Sequence, residues 1–574
     1  MPSCKEVSKQ KQAARAEAIA RSSKRLDAEG TSTQNDSEYL AATAAEIVKH
    51  IEAGEWTALV VVSAYIRQAI RAHEATNCLT EILFEQALDE AKALDTEYAS
   101  TKRLRGPLHG LPVSVKDQFD ITGYDASIGY TRWANNPSVT DAHAVKVFRE
   151  CGAVIIAKTN VPQTMLSFEC SNPLFGRTTN PWSIDAAHTS GGSSGGEAAL
   201  LAQSGSALGL GSDVGGSLRI PTSYCGVYSL KTSAGRLSCD GARSPVPGFE
   251  AITTVIGPMA RSVEDVELAS RVLFGASRPS FEPLPSLPYH EPILPKKLRF
   301  GYYTSDLFVK ASPACSRAVM EAVEALRKAG HECIEFQPTL AREAMYLFAA
   351  LTSADGYKGL LEHLGPDPKE SSLFLVTLGP SLPGFVRAIA AWVARTFLHD
   401  EVFASCLESS RVKSTKEFFD TVAKRTELRK RWYEQVWENF KFDGIIAPTQ
   451  AVPALPHGAT TTLSPLAAGT ILYNIIDSPV GIVPVTRVDP KLDALTADWA
   501  HNPEKGSGSR ILEDELYRKR NAPYDPVKMA GLPVGIQVVG KSLEDEKVIA
   551  MMKIVDEALG PRDFGPSAWL RRTA

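Results

Sequence analysis

The stretch His188–Gly226 reads HTSGGSSGGEAALLAQSGSALGLGSDVGGSLRIPTSYCG: two Gly-Gly-Ser turns held apart by a short segment of small apolar residues. A Gly/Ser connector would be polar throughout. This one interleaves Ala and Leu and runs straight into the apolar step LRIP, which marks a folded interior. The phosphate-loop pattern GxxxxGK[ST] is absent, so the glycines serve another chemistry. A serine that attacks a carbonyl must stand where several backbone N–H groups converge on the developing oxyanion, and glycine lets the chain approach that closely. Val214, Gly215, Gly216 and Ser217 are placed in sequence to supply such donors.

Outward from this stretch, short β-branched runs alternate with helical patterns. Leu111–Lys116, Ala153–Lys158, Leu298–Tyr303, Gly444–Ala447 and Gly481–Val485 read as strands, and Asp141–Cys151 as a helix. Between Glu38 and Asp95 the apolar residues Ile47, Ile51, Leu59, Val62 and Tyr65 recur at helical spacing, predicting two or three opening helices. The alternation is an α/β signal with a largely parallel or mixed sheet. Ser280–Lys297 carries five prolines and reads as a linker, and 488–527 reads as a long exposed insertion. Residues 1–35 are basic and lack an apolar core, so they are expected to form a flexible tail and neither a signal sequence nor a membrane span.

The 574 residues are 44% hydrophobic with a net charge of −4, enough for a large core and too acidic for nucleic acid as the main partner. Nine scattered cysteines without CxxC spacing fit free thiols in a reducing compartment. No HExxH and no paired CxxC occurs, so neither a metal nor another cofactor is expected. The expected location is cytoplasmic, or peripheral on an intracellular membrane, and not secreted.

GGSSGGEAAL followed by GSDVGGSLRIP resembles the amidase signature family. So do LHGLPVSVKD upstream, TNVPQTMLSFECSNPLFGRTTNPW between, and LYNIIDSPVGIVPV and GLPVGIQVVG downstream, in the family's order. The resemblance implies an α/β fold with a large mixed sheet surrounded by helices, forming one domain over 36–574. It also implies an amide hydrolase with a Ser, cis-Ser, Lys triad. Ser217 matches the nucleophile, Ser193 the bridging serine after a cis peptide from Gly192, and Lys116 the base. The segments look most like fatty acid amide hydrolases, with fungal acetamidase-type enzymes next.

A lysine with its ordinary pKa near 10.4 is no base at neutral pH, so Lys116 must be buried. It would take a proton from Ser193 as Ser193 takes one from Ser217, and an acyl-enzyme would form on Ser217. Ser194, Asp213 and Arg219 are expected to hold this geometry by hydrogen bonds or charge pairing, or to be simply structural. His109, His143 and His188 lie near in sequence, but there is no GxSxG elbow, and a Ser-His-Asp site is not expected.

By the same resemblance Met165 belongs to substrate binding, and Leu166 and Phe168 to an acyl pocket or to ordinary core. In 384–398, Phe385, Ile389, Trp392, Val393 and Phe397 share one helical face. Fifteen residues are too few to span a bilayer, which leaves a membrane-lying cap, a homodimer contact or a helix packed on the core. The expected substrate is a small-molecule or lipid amide, from fatty acid amides or N-acyl ethanolamines to short aliphatic or aryl amides. The reading from another class is an amidotransferase subunit that releases ammonia from glutamine. No cation is foreseen near the site to hold a substrate carboxylate.

Overall fold

The computed structural model describes residues 3–279, 281–282, 286–497, 499 and 508–573. Its strands are β1 Leu79–Ile82, β2 Pro112–Lys116, β3 Val154–Thr159, β4 Ser171–Asn172, β5 Gly176–Arg177, β6 Leu208–Asp213, β7 Tyr228–Lys231, β8 Val255–Ala260, β9 Arg299–Tyr302, β10 Glu332–Glu335, β11 Gly444–Pro448, β12 Val480–Arg487 and β13 Pro533–Val539. All but the β4–β5 hairpin join one 11-stranded sheet in the order β1-β3-β2-β6-β8-β7-β12-β13-β11-β9-β10. The sheet is mixed: β3, β2 and β6 run parallel, β6 through β11 alternate antiparallel, and β11, β9 and β10 are parallel again. Helices surround it, as the sequence predicts.

Each strand expected from the β-branched runs is present within a few residues of its expected bounds. Every residue of β2 and β6 is buried, because helices cover both faces, which is why PVSVK and LGLGSD lack the polar alternation of a half-exposed strand. The opening region holds four helices, Asp36–Ala41, Ala44–Glu52, Ala58–Thr76 and Phe84–Thr101, with β1 between the last two.

Two expectations need correction. The basic tail is a helix, Cys4–Glu29, started by a capping box between Ser3 and Glu6. It buries Val7, Ser22 and Leu26, sends Lys11 to Glu81 and Asp125, and donates from Arg15 Nη1 to the Leu79 carbonyl at 2.6 Å. Such polar anchors leave no trace in hydrophobic periodicity. The insertion over 488–527 is not exposed throughout: among its described residues Asp493 is fully buried against Arg317, and Leu512, Leu516, Tyr517 and Tyr524 enter the core, while Leu492 and Val527 stay at the surface. Of that expectation, 498 and 500–507 lie outside the described residues. The described parts of the Pro-rich run 281–297 form no regular structure and are mostly exposed; 280 and 283–285 lie outside the described residues.

The helix Gly384–Thr396 turns only Ala391 and Ala394 inward. Phe385 (71% exposed), Ile389, Trp392 (52%), Val393 and Phe397 face out, so packing of this stripe on the core is ruled out.

Candidate active site

Lys116 ends β2, and its side chain is fully buried among β6, the loop after β3 and the first Gly-Gly-Ser turn. Its Nζ lies 2.6 Å from Ser193 Oγ and 2.8 Å from Ser212 Oγ. Burial lowers its pKa to about 7, against the upward pull of the Asp213 and Asp117 carboxylates. Cys170 does not compete as an anion, since burial pushes its thiol up to about 12. Lys116 is therefore partly a free amine at neutral pH, as a general base requires.

Ser193 sits just before the helix Gly195–Ala202 and is 2% exposed. The described residues contain no cis peptide bond, so the peptide from Gly192 expected as cis is trans. The turn is made by Gly191 and Gly192 instead, both left-handed at φ 82° and 51°.

Ser217 lies in the turn between β6 and the helix Arg219–Cys225. Gly216 there has φ +122°, and a Cβ on it would stand 2.2 Å from Thr470 Oγ1, so no side chain fits. Asp213, at the end of β6, organises the turn. It accepts from the amides of Gly216 (2.8 Å) and Leu218 (3.1 Å), from Arg219 Nε and Nη2 (3.0 and 2.9 Å) and from Asn474 Nδ2 (2.9 Å). These donors hold its carboxyl far below the usual range despite complete burial. Arg219 is satisfied in turn by the Thr470 carbonyl, Gln537 Oε1 and Asn474 Oδ1.

The oxyanion expectation is corrected here. The Gly216 amide is committed to Asp213, since a buried carboxylate must be hydrogen-bonded. The amides of Val214, Gly215 and Ser217 donate to no acceptor among the described residues. Ser194 Oγ lies 3.5 Å from both the amide and the carbonyl of Ser212, beside the turn and not in it.

Two cavities meet at Ser217. The narrower, about 130 Å³, is lined by Met165, Leu166, Phe168, Phe348, Ile471 and the helix Phe374–Ser381, and is almost wholly apolar. The wider, about 610 Å³, reaches Ser193, Ser212 and Gln118 and continues past Pro245–Phe249. Arg243 and Lys413 also line it, so cations near the site do exist. Both are engaged: Arg243 Nε with Asp120 at 2.8 Å, and Lys413 Nζ with the Ser409 and Arg411 carbonyls at 2.8 and 3.1 Å.

The amidase profile matches residues 60–549. Fatty-acid amide hydrolase 1 of Sus scrofa is 33% identical over 531 residues, 92% of this chain and 87% of that protein. The acetamidase of Emericella nidulans is 31% identical over 537 residues, 90% and 89% of the two chains. A solved fatty acid amide hydrolase superposes with a TM-score of 0.79 at 27% identity, covering 94% of this chain and 88% of the other. The chain belongs to the amidase signature family. It is an amide hydrolase of the serine type, with the α/β fold of known amidases.

In this amidase no histidine among the described residues lines either cavity. His109 Nδ1 accepts the Arg105 amide at 2.9 Å. His188 is hydrogen-bonded to Ser183 at 2.8 Å, and burial brings its pKa down to about 4. Among the described residues, no group of three His, Cys, Asp or Glu is placed to hold a metal ion.

Sequence reasoning missed three residues around the site. Ser212 adjoins Asp213 within GSDVGGSLRIP, Glu169 adjoins Phe168 within TNVPQTMLSFECSNPLFGRTTNPW, and Gln118 lies just past LHGLPVSVKD; that nearness was the available signal. Glu169 accepts from Gly458 N (3.0 Å) and Thr460 Oγ1 (3.0 Å) and pairs with His457 Nδ1 (2.8 Å), pinning the loop that carries Met165, Leu166 and Phe168.

Proposed function

We propose that this amidase hydrolyses neutral amides with a long apolar acyl group, such as fatty acid amides or N-acyl ethanolamines, through an acyl-enzyme on Ser217. The observation that carries the reading is the apolar cavity at Ser217, walled by the helix Phe374–Ser381. The segment Ser371–Ser381 that contains it and the outward-facing helix Gly384–Thr396 form a pair bent by 108°.

Neutral Lys116 takes the Ser193 proton as Ser193 takes that of Ser217, whose oxygen attacks the carbonyl. The amides of Val214, Gly215 and Ser217 receive the oxyanion. The proton returns through Ser193 to the departing nitrogen, because an unprotonated amine leaves poorly. Water then cleaves the ester with Lys116 again as base. In this reading the acyl chain occupies the apolar cavity and the amine departs through the wider one.

No single described helix is long and apolar enough to cross a membrane. The exposed Phe and Trp side chains of 384–398 suit an interfacial position from which a lipid amide enters.

The test is kcat/KM along primary amides from acetamide to oleamide, with Ser217→Ala as the blank. Burial of about 0.8 kcal/mol per CH₂ corresponds to roughly a fourfold rise per methylene until the cavity is filled. A maximum at acetamide or propionamide would instead make this an acetamidase-type enzyme. Labelling of Ser217 by a fluorophosphonate without turnover of any member would move specificity to the amine side or to a partner.

A further inference from the structure

A base must present its lone pair, and a lysine amine rotates about Cε–Nζ. The structure shows what restrains that rotation. Gln118, two residues beyond Lys116 and 1% exposed, places Nε2 3.5 Å from the Arg243 carbonyl, so its amide nitrogen faces a group that only accepts. Its Oε1 then faces Ser212 Oγ, and the two are hydrogen-bonded. An amide oxygen cannot donate, so the single Ser212 proton lies toward Gln118. Ser212 Oγ is therefore an acceptor toward Lys116 Nζ, 2.8 Å away.

We infer that Gln118 and Ser212 are positioning residues for the base: Gln118 takes the Ser212 proton, Ser212 takes one N–H of Lys116, and the amine's lone pair is left to Ser193. The inference rests on the reading of Lys116 as base. The protons balance throughout. The free amine carries two N–H bonds, one on Ser212, and gains a third from Ser193 as Ser193 gains the Ser217 proton. Returning that proton restores the starting arrangement, and the Ser212–Gln118 bond never changes. Without Gln118 the Ser212 hydroxyl is released to donate to the lone pair, in competition with Ser193. Ser212 is thus useful to the base only while Gln118 holds its proton.

The experiment measures kcat, KM and the pH profile on a soluble primary amide, with thermal melts as the check on folding. The charged and titratable groups near Lys116 are Asp117, Cys170 and Asp213, with Arg219 and Lys231 around Asp213, and all are left in place. Gln118→Leu is expected to lower kcat by about tenfold or more with KM within about twofold, a misoriented base acting on chemistry and not on binding. Ser212→Ala lowers kcat, and Ser212→Thr, which keeps the hydroxyl, restores it to within about threefold. The double variant Gln118→Leu with Ser212→Ala is no slower than Ser212→Ala alone, because the competing donor is gone. Gln118→Glu strengthens Ser212 as an acceptor for the ammonium and moves the acid limb of kcat/KM to higher pH.

Losses that multiply in the double variant, or an acid limb unmoved by Gln118→Glu, would overturn the inference while an inactive Lys116→Ala kept Lys116 as base. An active Lys116→Ala would remove the underlying reading, and this one with it.

Discussion

The burial of Lys116 makes a quantitative statement about pH. With its pKa lowered to about 7, the amine is neutral in about a tenth of molecules at pH 6, half at pH 7 and nine tenths at pH 8. An unburied lysine at 10.5 would offer roughly sixteen hundred times less free base at pH 7. Because the active form is the deprotonated one and the folded-state pKa lies below the ordinary value, activity is complete above the folded pKa and is lost as pH falls through it. The expected kcat/KM on a neutral, soluble amide therefore rises about tenfold from pH 6 to pH 8 and then levels. Rates are measured in constant-ionic-strength buffers against a Ser217→Ala blank, with a substrate that has no ionisation of its own. Lys116→Ala should fall by about 10² to 10⁴ and lose the acid limb. A flat profile between pH 6 and 8, or an acid limb that survives in Lys116→Ala, would refute Lys116 as the titrating base.

Two further outcomes test other parts of the molecule. Replacing Phe385 and Trp392 with Ser should weaken flotation with liposomes while sparing hydrolysis of a soluble amide; unchanged flotation would return the helix Gly384–Thr396 to a dimer contact, read by light scattering. Glu197 is buried, accepts from Thr159 Oγ1 at 2.7 Å and from Ser114, and has its pKa pushed up to about 7 by burial. Its contribution to stability is thus present below its ordinary pKa near 4.5 and is lost as pH rises through 7. Glu197→Gln should leave Tm unchanged relative to the parent at pH 4.5 and raise it by a few degrees at pH 8.5, and equal Tm differences at both values would refute the shift.

The sheet was legible because a strand covered on both faces must be apolar along its whole length, and VSV, VIIA and GIIA can be little else. Lys116, Ser193 and Ser217 stood out for the opposite reason, as polar residues set among glycines and apolar neighbours. What stayed hidden depends on pairings far apart in sequence. Ser212 meets Gln118 only because β6 lies parallel to β2 with Leu210 beside Val115. Glu169 meets His457 across nearly three hundred residues. The N-terminal helix docks through Lys11 and Arg15, whose charges read as solvation until Glu81, Asp125 and the Leu79 carbonyl are placed beneath them. Gly216 was misassigned because a chain of amides in sequence does not reveal which of them a neighbouring carboxylate will take.

The division of labour within the site follows from what each half must do. A lysine base without an imidazole partner works near neutrality only if it is fully desolvated, and that places it at the carboxyl end of a central strand, under the turn that follows the next strand. The ion pair of Asp213 and Arg219 is then required in the same dry layer, since it fixes the turn and tempers the lysine's loss of charge. Such a pair is tolerable only with every donor and acceptor satisfied, and Thr470, Asn474 and Gln537 complete it from two other elements. This core therefore cannot shift without losing the base. The narrow apolar cavity, which the proposed function gives to the acyl group, has no such constraint: its wall comes largely from helices outside the sheet, including Ala341–Thr352, Phe374–Ser381 and Glu401–Ser409, whose side chains need only be apolar and of suitable size. On the proposed reading one catalytic arrangement is compatible with short or long acyl groups, and it assigns the choice between them to Phe348, Leu375, Phe403 and their neighbours rather than to Lys116, Ser193 or Ser217.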